Sequence, residues 1–134
     1  MMKGSPQEIY QFSSHFDHQF LNELYGDDMR SAEEVFHSAL IQIDQEVSEA
    51  EKLFREKNFT EVRKIFHRIK PLFGYVGLME VQDNIQQFED NCIHFRDIGS
   101  LELAFENVKT IVWEASVKIS EEKGKLSDYN KQRA

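Results

Sequence analysis

The feature that most limits how this chain can fold is its shortage of helix breakers. Across 134 residues there are two prolines, Pro6 and Pro71, and six glycines, and no stretch sustains the alternation of a strand. What recurs instead is an apolar residue every three or four positions, the repeat that gathers one face of a helix. Val35, Phe36, Ala39, Leu40, Ile43, Val47, Ala50 and Phe54 predict a long helix from 28 or 31 to 57, with Ser31 and Glu34 spaced as a capping box. Val62, Ile65, Phe66, Ile69, Phe73 and Val76 predict a second, capped by Thr60 and ending near Gly74 and Gly77. Val81, Ile85, Phe88, Cys92 and Phe95 predict a third over 78–96. Leu101, Ala104, Phe105, Val108, Ile111, Val112, Ala115 and Ile119 predict a fourth, capped by Ser100. Four apolar faces must bury one another, so the expected fold class is all-α, an antiparallel four-helix bundle.

Short extra helices are expected before the bundle. Ser5, Pro6 and Glu8 stand at the N-cap, first and third positions of one, and Asp17 caps another that spans 17–25 and stops at Gly26. The chain therefore divides into an N-terminal extension over 1–16, a bundle over 17–122 and, because 123–134 is polar and aperiodic, an expected flexible tail.

Charge and composition narrow the function classes. With 24 acidic against 16 basic residues the net charge is -8, which repels a phosphate backbone, so no nucleic-acid partner is expected. Cys92 is the only cysteine and has no disulfide partner within the chain. No apolar run approaches the roughly 18 residues of a membrane helix, and Met1-Met2-Lys3-Gly4-Ser5 lacks the apolar segment of a signal peptide. A cytoplasmic chain that does not enter a membrane is the expectation. His15 and His18 share one turn but lack companions at metal-site spacing, so no metal is expected.

One stretch departs from the acidic background. Between 63 and 70, Arg63, Lys64, Arg68 and Lys70 supply four cations around His67, which the helical repeat places on the solvent side, with Pro71 about one turn and Gly74 about two turns further along. An exposed imidazole, nearby cations and a glycine that leaves open space are what a phosphoryl-carrying histidine needs, since another active site must approach it in line. If the chain reverses near Gly77 and Leu78, residues whose numbers average to about 78 lie at one height in the hairpin. Glu89 then stands level with His67 and Gln86 with Lys70. A carboxylate beside an imidazole holds the proton on one nitrogen and leaves the other as nucleophile.

In these residues the sequence resembles the histidine-containing phosphotransfer family, whose motif is His-x-[Leu or Ile]-Lys-Gly with a further glycine ten residues after the histidine. His67, Ile69, Lys70 and Gly77 match it; Pro71 stands in place of the usual glycine, and Leu72 and Phe73 in place of small residues. The resemblance runs from about Phe16 to the last helix and includes the Leu24-Tyr25-Gly26-Asp27 turn. It implies a non-enzymatic phosphoryl carrier with His67 as phosphoacceptor, Lys70 as a cation on the phosphate side, and Gln86 and Glu89 as neighbours on the adjoining helix. Arg63, Lys64, Arg68, Pro71 and Gly74 would form the docking surface. The implied partners are receiver domains of response regulators or hybrid histidine kinases in a two-component phosphorelay, which bring their own Mg²⁺, so the chain needs no cofactor. An adaptor that binds a receiver or kinase without accepting phosphate is the alternative. A monomer is expected, because an exposed His67 face requires no second subunit.

Overall fold

The computed structural model describes residues 9–133, so the helix expected around residues 5–8 lies outside the described part. Five helices follow one another: α1 (His18–Tyr25), α2 (Met29–Arg55), α3 (Phe59–Tyr75), α4 (Met79–His94) and α5 (Ile98–Gln132), with no strand among the described residues. The structure is all-helical, as the apolar repeat requires. In the bundle α2 packs on α3 and α5, and α4 packs on α3 and α5, which closes a four-cornered ring. The α3–α4 face and the α2–α5 face are therefore opposite sides of the bundle. No helix among the described residues is long and apolar enough to cross a membrane.

The predicted stripes form the core. Phe36, Phe66, Phe73 and Phe88 are fully buried, and Phe66 meets Phe88 edge-on with ring centroids 4.9 Å apart. Each such side chain contributes roughly 1.5–3 kcal/mol by leaving water. The caps are less predictable than the stripes. Asp17 caps α1 as expected, accepting from the Phe20 N–H at 3.1 Å. At α2 the cap is Asp28, which takes the Ser31 N–H at 3.1 Å and the Ser31 hydroxyl at 2.8 Å, so Ser31 belongs to the first turn. At α3 the N-cap is Asn58 and not Thr60, and at α5 it is Asp97, which accepts from the Ser100 N–H at 2.8 Å. Where an aspartate precedes a serine by three residues, the carboxylate takes the cap because its charge also suits the positive end of the helix.

α1 closes one end of the bundle. The Asp17 N–H donates to the Gly77 carbonyl at 2.9 Å, and the Tyr25 hydroxyl donates to the Tyr75 carbonyl at 2.8 Å. Gly77 turns the chain from α3 into α4 with φ +78°, and a Cβ there would stand 2.9 Å from the Leu21 side chain. Both facts demand glycine. The motif glycine ten residues beyond His67 is thus fixed by the turn and by α1 packing.

The segment expected to be a flexible tail is helical. α5 continues unbroken to Gln132, about 52 Å in all at 1.5 Å per residue, and passes through Gly124 on its exposed side. Its buried stripe runs on from Ile119 through Glu122, Leu126 and Asn130, so the 3.6-residue period persists but two of the inward residues are polar. Each has a distant partner. Glu122 accepts from the Tyr10 hydroxyl at 2.5 Å and the Ser13 N–H at 3.3 Å, and Asn130 donates to the Met29 carbonyl at 3.0 Å and to Glu33 at 2.8 Å. Buried polar groups are tolerated when bonded in this way. Tyr10, Phe12 and Phe16 bind the segment before α1 to the same end of the bundle, with Phe12 and Phe16 both against Phe36.

Candidate functional site

His67 sits at the middle of α3, between the buried Phe66 and Ile69, so its own side chain points outward and is 65% exposed. The hairpin between α3 and α4 sets what lies beside it. Its Nδ1 is 2.9 Å from Oε1 of Glu89 on α4, whose side chain is almost entirely buried. An ionised carboxylate only accepts, so this contact places a proton on Nδ1, and in the neutral imidazole Nε2 is then the nitrogen that keeps the lone pair. The second Glu89 oxygen has no well-directed hydrogen bond; it is balanced by the Lys70 ammonium at 2.9 Å as an ion pair. Lys70 also donates to Gln86 Oε1 at 2.5 Å, and the Gln86 amide donates to Asp90 at 3.2 Å. The four residues His67, Lys70, Gln86 and Glu89 are therefore one connected network.

A buried carboxylate is tolerated here because a cation and a hydrogen-bond donor face its two oxygens. The arrangement fixes the imidazole ring in orientation and tautomer while leaving Nε2 free, which suits nucleophilic attack on an electrophile brought from outside. A shallow hollow of about 340 Å³, lined by His67, Lys70, Pro71, Gln82, Asp83 and Gln86, lies in front of it.

Of the remaining expected docking residues, Lys64, Arg68 and Pro71 are exposed, Arg63 is half-buried and Gly74 is buried. Of the basic collar, Lys64 is paired with Glu61 at 3.0 Å, and Arg68 forms a two-pronged pair with Glu46 of α2 at 2.8 and 3.0 Å. The Arg68 hydrogen bonds hold the Glu46 carboxyl below the ordinary carboxylate range and raise the Arg68 guanidinium in turn. Arg63 is half-buried on the side of Cys92, whose thiol burial pushes up to about 12. The collar is thus largely neutralised by the protein's own carboxylates. Glu61 was legible from its three-residue spacing to Lys64. Glu46 needed the α2–α3 register.

Gly74 does not open space beside His67, as the sequence reading expected; it is buried. A Cβ at Gly74 would stand 2.7 Å from the Gln82 amide nitrogen, which lies across the glycine and donates to the Lys70 carbonyl at 3.2 Å. The same hairpin rule that pairs His67 with Glu89 puts Gln82 level with Gly74, so the signal for this residue was present. Pro71 is exposed and sits within an unbroken α3, where its ring removes the N–H that would have served the His67 carbonyl. Leu72 is half-buried and Phe73 belongs to the core. Among the described residues no group of three or more His, Cys, Asp or Glu is arranged to hold a metal ion; His18 instead contacts the Ser13 carbonyl at 2.8 Å. In comparisons with known proteins, no family model, no curated protein and no solved structure matches this chain.

Proposed function

We propose that this protein is a phosphoryl carrier in which His67 accepts a phosphoryl group from the aspartyl phosphate of a receiver domain and yields it to the aspartate of another. The observation that carries the reading is the pairing of an exposed His67 with a buried, cation-balanced Glu89 at 2.9 Å. An ordinary surface histidine has no reason to be oriented by a buried charge.

The step balances on these groups. The Nε2 lone pair attacks phosphorus in line, the P–O bond to the aspartyl carboxylate breaks, and that carboxylate leaves with the electron pair. The Nδ1 proton stays in place, so the imidazole becomes cationic beside Glu89, whose charge stabilises it. Lys70 has three donors and uses two on Gln86 and Glu89, which leaves one for a phosphoryl oxygen. The reverse reaction runs through the same contacts. Mg²⁺ belongs to the receiver in this scheme, and the carrier acts as substrate without being an enzyme or binding a nucleotide. The partners are acidic-pocketed receiver domains, consistent with a cytoplasmic phosphorelay.

Incubation of the purified chain and of His67→Gln with several phosphorylated receiver domains tests this. Acid-labile, alkali-stable label on the wild type and none on the variant is the expected result. Absence of label with every receiver, while binding to one persists, would replace the carrier with an adaptor that uses the same face.

A further inference from the structure

α3 contains the residue that helix interiors tolerate least. Proline lacks an N–H, and its ring crowds the carbonyl four residues back. Pro71 nevertheless stands inside α3, which runs unbroken from Phe59 to Tyr75. Its ring is exposed, so no core packing offsets the loss. The carbonyl four residues back belongs to His67, the residue with the open ring nitrogen. The carbonyl of the Lys70–Pro71 amide is served from another helix: the Gln82 amide of α4 donates to it at 3.2 Å, crossing the buried Gly74 to reach it. α4 thus holds the proline's own amide bond, and α3 stays continuous where its ladder has lost a rung. A residue that breaks a local rule with no packing in return marks a functional surface.

We propose that Pro71 is a specificity-determining residue: by withholding its N–H it leaves the His67 main-chain carbonyl open as an acceptor for a hydrogen-bond donor on the rim of a docking receiver domain. The inference rests on the reading of His67 as the receiver-facing residue. A helical carbonyl points toward the residue four further on, so this one lies between His67 and Pro71. Both line the hollow of about 340 Å³ in front of the site. A partner that brings phosphorus in line to Nε2 lays its rim over that hollow. The polar side chains there are already engaged, Lys70 with Glu89 and Gln86, Gln86 with Asp90, and Gln82 with the Lys70 carbonyl. The His67 carbonyl is the acceptor whose helical donor is missing, and an acceptor covered on docking must be given a donor or left at a cost. A receiver with an N–H or hydroxyl at that point gains a bond. One that covers it with an apolar or acidic group is disfavoured. The choice is made about one helical turn from the reacting nitrogen, so it selects among receivers without altering the chemistry at His67.

Pro71→Ala restores the N–H and closes the ladder, and it should make the chain more stable while making it a poorer partner. The melting temperature of the full-length variant should rise by roughly 5 °C or more. Its affinity for the receiver domain that binds the wild type most tightly, measured by titration calorimetry, should fall about 3- to 10-fold, the worth of one hydrogen bond. The ¹³C resonance of the His67 carbonyl should move downfield when that receiver docks on the wild type and stay in place in Pro71→Ala, where the carbonyl is already bonded. Loss of a contact to the proline ring alone would lower affinity without moving the wild-type carbonyl. A variant that binds within about twofold of the wild type overturns the proposal, as does a wild-type carbonyl that does not shift on docking or a melting temperature that does not rise. These titrations need binding and not label. A chain that binds a receiver but takes no label refutes the carrier reading and leaves the role of Pro71 to be decided by the same three readouts, whereas a chain that binds no receiver refutes both.

Discussion

Replacing Glu89 by glutamine removes one charge and almost no volume, and it isolates what the buried carboxylate does for His67. The amide keeps an oxygen that can accept from Nδ1–H or from Lys70, but it no longer opposes the positive charge that develops on the imidazole as phosphorus is transferred. In the wild type this is a charge-assisted hydrogen bond of 2.9 Å with its carboxylate end buried and its histidine end exposed. Hydrogen bonds to charged groups contribute about 1.5–3 kcal/mol. If that interaction is made mainly in the transition state, transfer should slow roughly 10- to 150-fold. The assay is single-turnover transfer from a phosphorylated receiver domain, with receiver affinity measured separately. Affinity should hold, since Glu89 is covered and touches no partner, so the effect falls on the rate of the bound complex. A function-free check accompanies it: long-range ¹H–¹⁵N spectra should show the Nδ1–H tautomer in the wild type and a tautomer mixture in Glu89→Gln. A folded variant that transfers within twofold of the wild type, with its tautomer unchanged, would refute the reasoning.

Gly77→Ala should destabilise by about 1–3 kcal/mol, because the turn holds φ +78° and the added methyl meets Leu21; thermal denaturation measures it, and an unchanged melting temperature would contradict the packing described. Leu126→Ala should cost about 2–5 kcal/mol as a fully buried leucine, whereas a frayed tail would lose nothing, so denaturant titration separates the two. Glu46 gives a pH signature. Arg68 hydrogen bonds depress its folded-state pKa, so the stability it contributes is fully present above the ordinary carboxylate range and is lost as pH falls through the depressed value. For a surface pair this amounts to less than about 1 kcal/mol. Wild type should exceed Glu46→Gln by that margin at neutral pH and converge with it in acid; a gap that widens in acid would reverse the sign.

The α3–α4 hairpin shows where sequence reasoning reaches. Antiparallel pairing about the α3–α4 turn needs only the turn position and the rise per residue, and it placed Glu89 beside His67 and Gln86 beside Lys70. Applied once more it would have found Gln82 against Gly74, and with it the error of treating that glycine as open space. The basic collar misled for a different reason. Its four cations are adjacent in the chain, while two of the carboxylates that neutralise them, Glu46 and Glu89, come from other helices.

Helix identity, the apolar stripes and hence an all-helical bundle were determined by the sequence alone, because a 3.6-residue repeat of burial is a local property of the chain. The outward placement of His67 came from that repeat as well. Tertiary structure alone decided which polar residues could be buried. Asn130 falls in the stretch expected to be a flexible tail and Glu122 just before it, and both are buried with partners only because Tyr10, Ser13, Met29 and Glu33 are brought to them from about a hundred residues away. A buried polar group is stable only when its partner is present, and no local pattern records a partner that distant in sequence.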